Sequence, residues 1–232
     1  MEMYIKWFGG RNNTISMRNI KSLLIYRMTH IDNIPYIVKN GLWAKLSGVS
    51  DPDFIPIGNS EIISRRTQKS VNVNPPGGVL GDFIPFYFSG YSPMLLNIAT
   101  GYGVKLTMQK DIVFIVCDAI ELINSGIPFC FTDGNATQRV TKFYNNLLSL
   151  NALDWSTIRA KIWKNTDEDY DRVRKKMSEF LVKGHIPPSL VKQIIVRNED
   201  AEKKVLSMLE GHVLDCSVKI DAKNEYYYRQ YD

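Results

Sequence analysis

Six consecutive apolar residues stand between two aspartates in DIVFIVCD, Asp111 to Asp118. A short run of that kind, rich in β-branched side chains and without polar alternation, reads as a strand buried on both faces. A fold built around it needs packing on either side of a sheet. The chain can supply that, because 44% of its 232 residues are apolar and 11% aromatic. This length fits one large domain or two small ones.

The segments around the buried strand mix helix and strand signals without regular alternation. SLLIYRMTH reads as a first strand beginning near Ser22. In HIDNIPYIVKNGL, Asp32 is the expected N-cap, Ile37 and Val38 face inward, and Gly41 stands at the C′ position. Residues 47–82 hold turn-forming stretches (SGVSDPDF, PIGNSE, NVNPPGGVLGD), and long ordered loops tend to be functional. Within them NSEIISRR reads as a short helix ending in two arginines. DFIPFYFS is a strand, and SPMLLNIATGYG a helix with Ser92 as N-cap, Pro93 at N1 and Gly101 at its end. AIELINSG is a short helix, IPFCFTDGNAT a strand entering a turn, and residues 138–176 read as mainly helical, with TKFYNNLLSL as their core face. VKQIIVRN is a strand, and EDAEKKVLSMLEG a helix with Ala201, Val205, Met208 and Leu209 on one stripe. HVLDCSVKI closes the sheet. The pattern is that of an α+β domain over residues 21–232, preceded by a peripheral extension at 1–20.

A net charge of +5 points towards a polyanionic partner, though it also serves solubility. Cys117, Cys130 and Cys216 form no CxxC, and the first two lie in apolar runs as buried thiols. His30, His185 and His212 lack metal-ligand spacing, so no metal is expected. No apolar run approaches a membrane span and no secretory core is present, so the expected location is cytoplasmic, away from membranes.

In RKKMSEFLVKGHIPP, Glu179 stands between a basic run and the strand-like Phe180-Leu181-Val182, where carboxylates are disfavoured. Either it is solvated where the strand emerges, or the fold aims it into a cleft. Local rules do not decide.

Taken together, YRMTHIDNIPYIVKNGL, IGNSEIISRR, DFIPFYFSGYSPMLLNI, PFCFTDGNA and MSEFLV, in this order and spacing, resemble the DarT family of bacterial toxins. Members ADP-ribosylate bases in DNA and are each paired with a macrodomain-type antitoxin. The resemblance runs from about Leu24 to the C-terminus. It implies an ADP-ribosyltransferase fold related to the poly(ADP-ribose) polymerases, a split mixed β-sheet around an NAD cleft, with NAD consumed as co-substrate. It makes Glu179 catalytic and aligns the family's arginine with Arg66 rather than Arg65. A fixed carboxylate there stabilises oxocarbenium charge on the ribose, or removes the proton of the attacking base. Its replacement at a strand mouth is expected to leave the melting temperature almost unmoved.

The resemblance further places His30, Asn33, Gly41, Arg66, Tyr87 and Met94 at NAD, and Tyr91, Thr132, Asp133 and Asn135 at DNA or in positioning its loop. The family commonly has histidine where this chain has Asn135. Asparagine keeps a donor and an acceptor but does not titrate near neutrality. Arg172, Arg174, Lys175 and Lys176, directly before Glu179, become phosphate contacts in place of a solvated helix face. The expected protein is a monomeric toxin that modifies thymidine in single-stranded DNA. A guanosine-specific enzyme, an NAD-consuming or protein-modifying enzyme on the same fold, and a catalytically dead nucleic-acid-binding module are the rivals.

Overall fold

The apolar run forms a strand in which all seven residues, Ile112–Asp118, are buried (β4). The computed structural model describes residues 20–212 and 215–231, so the N-terminal extension lies, except for Ile20, outside the described residues. Before β4 come β1 (Leu24–His30), α1 (Ile34–Asn40), β2 (Leu42–Trp43), α2 (Ser60–Thr67), β3 (Phe83–Tyr87) and α3 (Pro93–Thr100). After it come α4 (Ala119–Asn124), β5 (Phe129–Thr132), β6 (Phe143–Tyr144), α5 (Trp155–Arg159) and α6 (Arg172–Lys176). The chain continues through β7 (Glu179–Lys183), β8 (His185–Ile186), β9 (Val191–Val196), α7 (Glu199–Leu209) and β10 (Ser217–Ile220).

Eight strands make one mixed sheet in the order β10-β9-β4-β1-β3-β7-β5-β6. It is antiparallel except where β10 lies parallel to β9. β2 and β8 pair separately. The sheet is split between β1 and β3, which share one residue pair, Tyr26 and Tyr87, whereas β1 and β4 pair along seven residues. Pro85 accounts for part of the split. It has no N–H to give β1, and its carbonyl accepts instead from the Arg27 guanidinium at 3.1 Å.

Strand alternation assigns the two faces. Ile25, Ile84, Phe86, Ile115, Phe180, Val182 and Ile194 point to a continuous back core that also takes Ile34 and Val38 of α1 and Ala201 and Val205 of α7. The front is divided. Leu95 and Ile98 of α3 pack with Ile112, Phe114 and Ile195 on one half, and Val71, Leu80, Phe83, Cys130 and Leu181 cluster on the other. Tyr26, Tyr87 and Glu179 have front-face parity at the seam between them.

Local chemistry sets most helix ends. Ser92 caps α3 by accepting the Leu95 N–H, and Gly101 closes it in the left-handed region. Two expectations are corrected. His30, not Asp32, caps the first turn: its Nδ1 accepts the Asp32 N–H, and a 3₁₀ turn precedes α1. Residues 138–176 contain only two five-residue α-helices, the two-residue strand β6 and a 3₁₀ segment at Leu147–Ala152. Phe143 and Tyr144 are drawn into sheet pairing with β5, a tertiary contact that overrides the helical pattern.

The C-terminal tail covers the front of the β4/β9 half. Asp221 accepts the N–H groups of Glu225, Tyr226 and Tyr227. The fully buried Tyr227 hydroxyl lies 2.8 Å from the Ile112 carbonyl and 3.0 Å from that of Ile195. Tyr227→Phe strips these buried acceptors of a donor, at a cost of about 1–2 kcal/mol. A thermal melt should show a drop of roughly 2–8 °C; an unchanged melting temperature would exclude the contribution.

Candidate active site

Glu179 opens β7 opposite Tyr87 and shares front-face parity with Leu181. It is 3% exposed, which excludes the solvated reading. Its backbone N–H donates to the Thr132 hydroxyl at 3.1 Å, anchoring it to β5. Its Oε1 accepts the Ala136 N–H at 2.9 Å and Arg66 Nη1 at 3.1 Å, and its Oε2 accepts Arg66 Nη2. The result is a two-pronged, charge-assisted pair.

Arg66 reaches the carboxylate from the last turn of α2, a helix capped by Asn59. Arg65, one residue earlier, points into solvent, 76% exposed, with Glu61 at 3.9 Å. Burial works against the Arg66 charge, but Glu179 outweighs it and holds the guanidinium pKa above its usual value. Burial and then Glu179 raise the Tyr87 phenol, keeping it neutral. Burial and then the Arg66 charge lower Arg27 to about 10. One carboxylate thus meets one guanidinium beside a neutral phenol where the sheet splits, with Arg27 near enough to feel the Arg66 charge. Such a site can stabilise developing positive charge and accept a proton.

A family described as "ssDNA thymidine ADP-ribosyltransferase, DarT" matches residues 26–228. The chain belongs to the DarT family. A DNA ADP-ribosyl transferase of Escherichia coli is 36% identical over 201 residues, covering 86% of this chain and 92% of that protein. The structure of Thermus sp. 2.9 DarT in complex with ADP-ribosylated ssDNA superposes with a TM-score of 0.80 at 34% identity, covering 88% of this chain and 96% of that one. The same protein in complex with NAD+ gives 0.76 at 33% identity, covering 89% and 98%. A Thermosipho africanus DNA ADP-ribosyl transferase–DNA ADP-ribosyl glycohydrolase fusion is 26% identical over 179 residues, which are 76% of this chain and 43% of that protein. The split mixed sheet is thus the ADP-ribosyltransferase fold of DarT.

Against that fold the candidate residues separate. Tyr87 and Arg66 gather at Glu179, and His30 shares the front-face parity of Tyr26 and Met28 along β1. Met94 and Tyr91 pack partly buried with Tyr26 and Met28. Tyr91 holds a left-handed φ of 55°, its ring lies 4.7 Å from that of Tyr228, and the Lys161 ammonium sits 5.3 Å above it.

The other candidates are held by partners within the protein. Asn33 is buried, and its amide clamps the long loop through both polar groups of Ile55. Gly41 adopts φ +76° against β8, where an added Cβ would strike the Ile186 carbonyl; its need is conformational. Thr132 is fully buried and holds the loop, one of its two expected roles, donating to the Gly134 carbonyl at 2.7 Å. Asp133 pairs with Arg174. The Asn135 side-chain oxygen accepts the Thr137 N–H and hydroxyl, closing an Asx turn.

The basic run is likewise committed internally. Arg174 bonds Asp171 and Asp133, and Lys175 bonds Asp169 at 2.8 Å. Arg172 holds the Ile162 carbonyl at 2.9 Å. Lys176 is 2% exposed, and burial lowers its pKa to about 8. Its three donors go to Ser89, Ile158 and Ala160, so none is left for phosphate.

Sequence reading missed Arg27, the Ala136 N–H and the tyrosine tail. The tail had a visible signal in YYYRQY, a dense aromatic cluster after an aspartate. A backbone amide has none. Among the described residues, no group of histidine, cysteine and carboxylate side chains is placed to hold a metal.

Proposed function

We propose that Glu179 is the catalytic carboxylate, and Arg66 its guanidinium partner, in transfer of ADP-ribose from NAD to thymidine in single-stranded DNA. The observation that carries the reading is a buried front-face carboxylate held by one guanidinium and one backbone amide at the seam of a DarT fold. Breaking the nicotinamide–ribose bond sends its electron pair out with nicotinamide and leaves positive charge on the ribose. Glu179, already desolvated and oriented, stabilises that charge through a ribose hydroxyl without reorganising. The attacking thymine ring nitrogen must lose its proton, and the same carboxylate accepts it. Arg66 is placed to offset negative charge on the ionising base or the pyrophosphate, with a fixed fork that lysine lacks. His30, Tyr87 and Met94 line the nucleotide side of this reading.

Residues 21–232 act as the transferase domain, and the chain works as a monomeric cytoplasmic toxin. The Thermosipho fusion supports a macrodomain antitoxin that removes the modification as the cognate partner. No helix among the described residues is long and apolar enough to cross a membrane.

Charge that could track the strand also stands on the largely exposed segment at 159–164, where Lys161 donates to the Asn224 carbonyl at 3.0 Å. There Lys161 lies over Tyr91, and the Arg159 guanidinium sits 5.0 Å over Trp155. Cations interleaved with rings suit a flexible strand whose bases stack.

Oligonucleotides differing in one base, each offered single-stranded and annealed, test the reading by mass spectrometry. Modification should require thymine and favour the single strand, because a paired ring nitrogen is reached only by flipping, at a few kcal/mol. DNA binding should weaken steeply with salt, and Lys161→Gln should lower the salt slope by about 0.7. Modification that tracks guanine would sink the thymidine assignment, equal duplex rates the single-strand argument, and an unaltered slope the role of Lys161.

A further inference from the structure

Few apolar contacts hold the helix that carries Arg66. None of the residues of α2 is buried, so its position is set chiefly by polar tethers. One of these lies two residues past its end. The Lys69 ammonium donates to the Thr137 carbonyl at 2.8 Å and the Gln138 carbonyl at 2.9 Å. These carbonyls belong to the turn that begins at Asn135 and includes Ala136, whose N–H holds Glu179. The backbone of Lys69 is pinned as well: its N–H donates to the Arg66 carbonyl at 3.1 Å, and its carbonyl accepts from Leu80 at 2.8 Å. A single residue therefore touches the end of α2, the segment leading into β3, and the turn that supports the carboxylate.

The opposite side of that turn is braced by α6. The Arg174 carbonyl accepts the Asn135 N–H, and the Arg174 guanidinium reaches Asp133 and Thr141. Nothing in α6, however, connects the turn to α2. Glu179 accepts three hydrogen bonds on its two oxygens, which leaves an acceptor position on Oε2 for a substrate hydroxyl while the Arg66 pair stays closed. That pair is the direct link between α2 and β7, and the bonds from Lys69 to the turn are a second tether that fixes the guanidinium relative to the carboxylate.

We propose that Lys69 is a positioning residue for ADP-ribose transfer, tying the helix that carries Arg66 to the turn whose Ala136 amide holds Glu179. The proposal rests on the catalytic reading of Glu179 given above. Burial, and then the Arg66 charge, lower the Lys69 pKa, in keeping with an ammonium held beside the site and not one extended into solvent.

The test uses the full chain with Lys69→Met, Lys69→Gln and Lys69→Arg, measuring initial rates while NAD and a thymidine-containing single strand are varied separately. Misplacement of a catalytic group by an ångström costs up to ~100-fold, so Lys69→Met should lose roughly 10-fold or more in kcat with both KM values changed less than about 2-fold. Lys69→Arg should recover most of the rate, since a guanidinium can also donate to two carbonyls, and Lys69→Gln should fall between. A raised KM for DNA or NAD with kcat preserved would overturn the proposal by making Lys69 a substrate contact. Wild-type kcat in Lys69→Met, or no recovery in Lys69→Arg, overturns it too. So does a rate loss explained by the unfolded fraction in a parallel melt. Glu179→Gln assayed alongside separates the two readings. If that variant stays active, the site assignment fails; if it is inactive while Lys69→Met is normal, only the role of Lys69 fails.

Discussion

Replacing Glu179 by alanine is expected to abolish transfer and also to destabilise the fold. Removing an oriented charge that acts mainly in the transition state should cost ~1000-fold or more in kcat. The stability loss follows from burial: the Glu179 side chain is 4% exposed and that of Arg66 17%. Deleting the carboxylate strands a desolvated guanidinium and leaves the Ala136 N–H without this acceptor. Breaking such a pair costs about 3 kcal/mol, and the melting temperature should fall by roughly 6–12 °C. That corrects the sequence expectation of an almost unmoved melting temperature, which holds only for a carboxylate that is solvated at the strand mouth. Glu179→Gln separates the two effects. The amide oxygen still accepts a hydrogen bond, so much of the stability should return, while the missing charge keeps the enzyme inactive. NAD binding, followed by calorimetry, should survive in the glutamine variant better than turnover does. Activity of either variant within a few-fold of wild type would remove Glu179 from the catalytic role.

Arg66→Ala should lower the rate by ~100- to 1000-fold, the usual cost of losing one preorganised group that meets developing charge. It also leaves Glu179 buried with the Ala136 N–H as its remaining partner, so this variant too should melt lower. Arg65→Ala provides the contrast. Its exposed pairing with Glu61 is the kind that adds little, and its stability should change by less than about 0.5 kcal/mol. Arg66→Lys should be intermediate in stability and poor in rate, because an ammonium restores charge but not the two-pronged geometry. Equal, mild rate losses at positions 65 and 66 would return the pair to an ordinary helix end.

The sequence by itself determined the features that depend on near neighbours. The apolar run at 112–117 had to be a buried strand, Ser92 and Gly101 had to bound a helix, and Ala201 and Val205 had to face a core, because each follows from propensity, capping or periodicity within a few residues. Glu179 and Arg66, which the fold brings together, were singled out through the resemblance of five ordered blocks to DarT and not through any local rule.

What only the tertiary structure decided is where each charge ends. Arg66 meets Glu179 across 113 residues, and the Ala136 amide meets it across 43. No short-range pattern encodes either distance. Residues 172–176 read as a basic run, yet Lys176 turns inward to three protein oxygens, and Arg174 and Lys175 are held by carboxylates of neighbouring segments. Phe143 and Tyr144 left their helical pattern because pairing with β5 was available. The physical reason is common to all of these. A polar or aromatic side chain takes its partner from whatever the fold brings within about 3–4 Å, and leaving it unpaired in the interior costs more than local propensity can return.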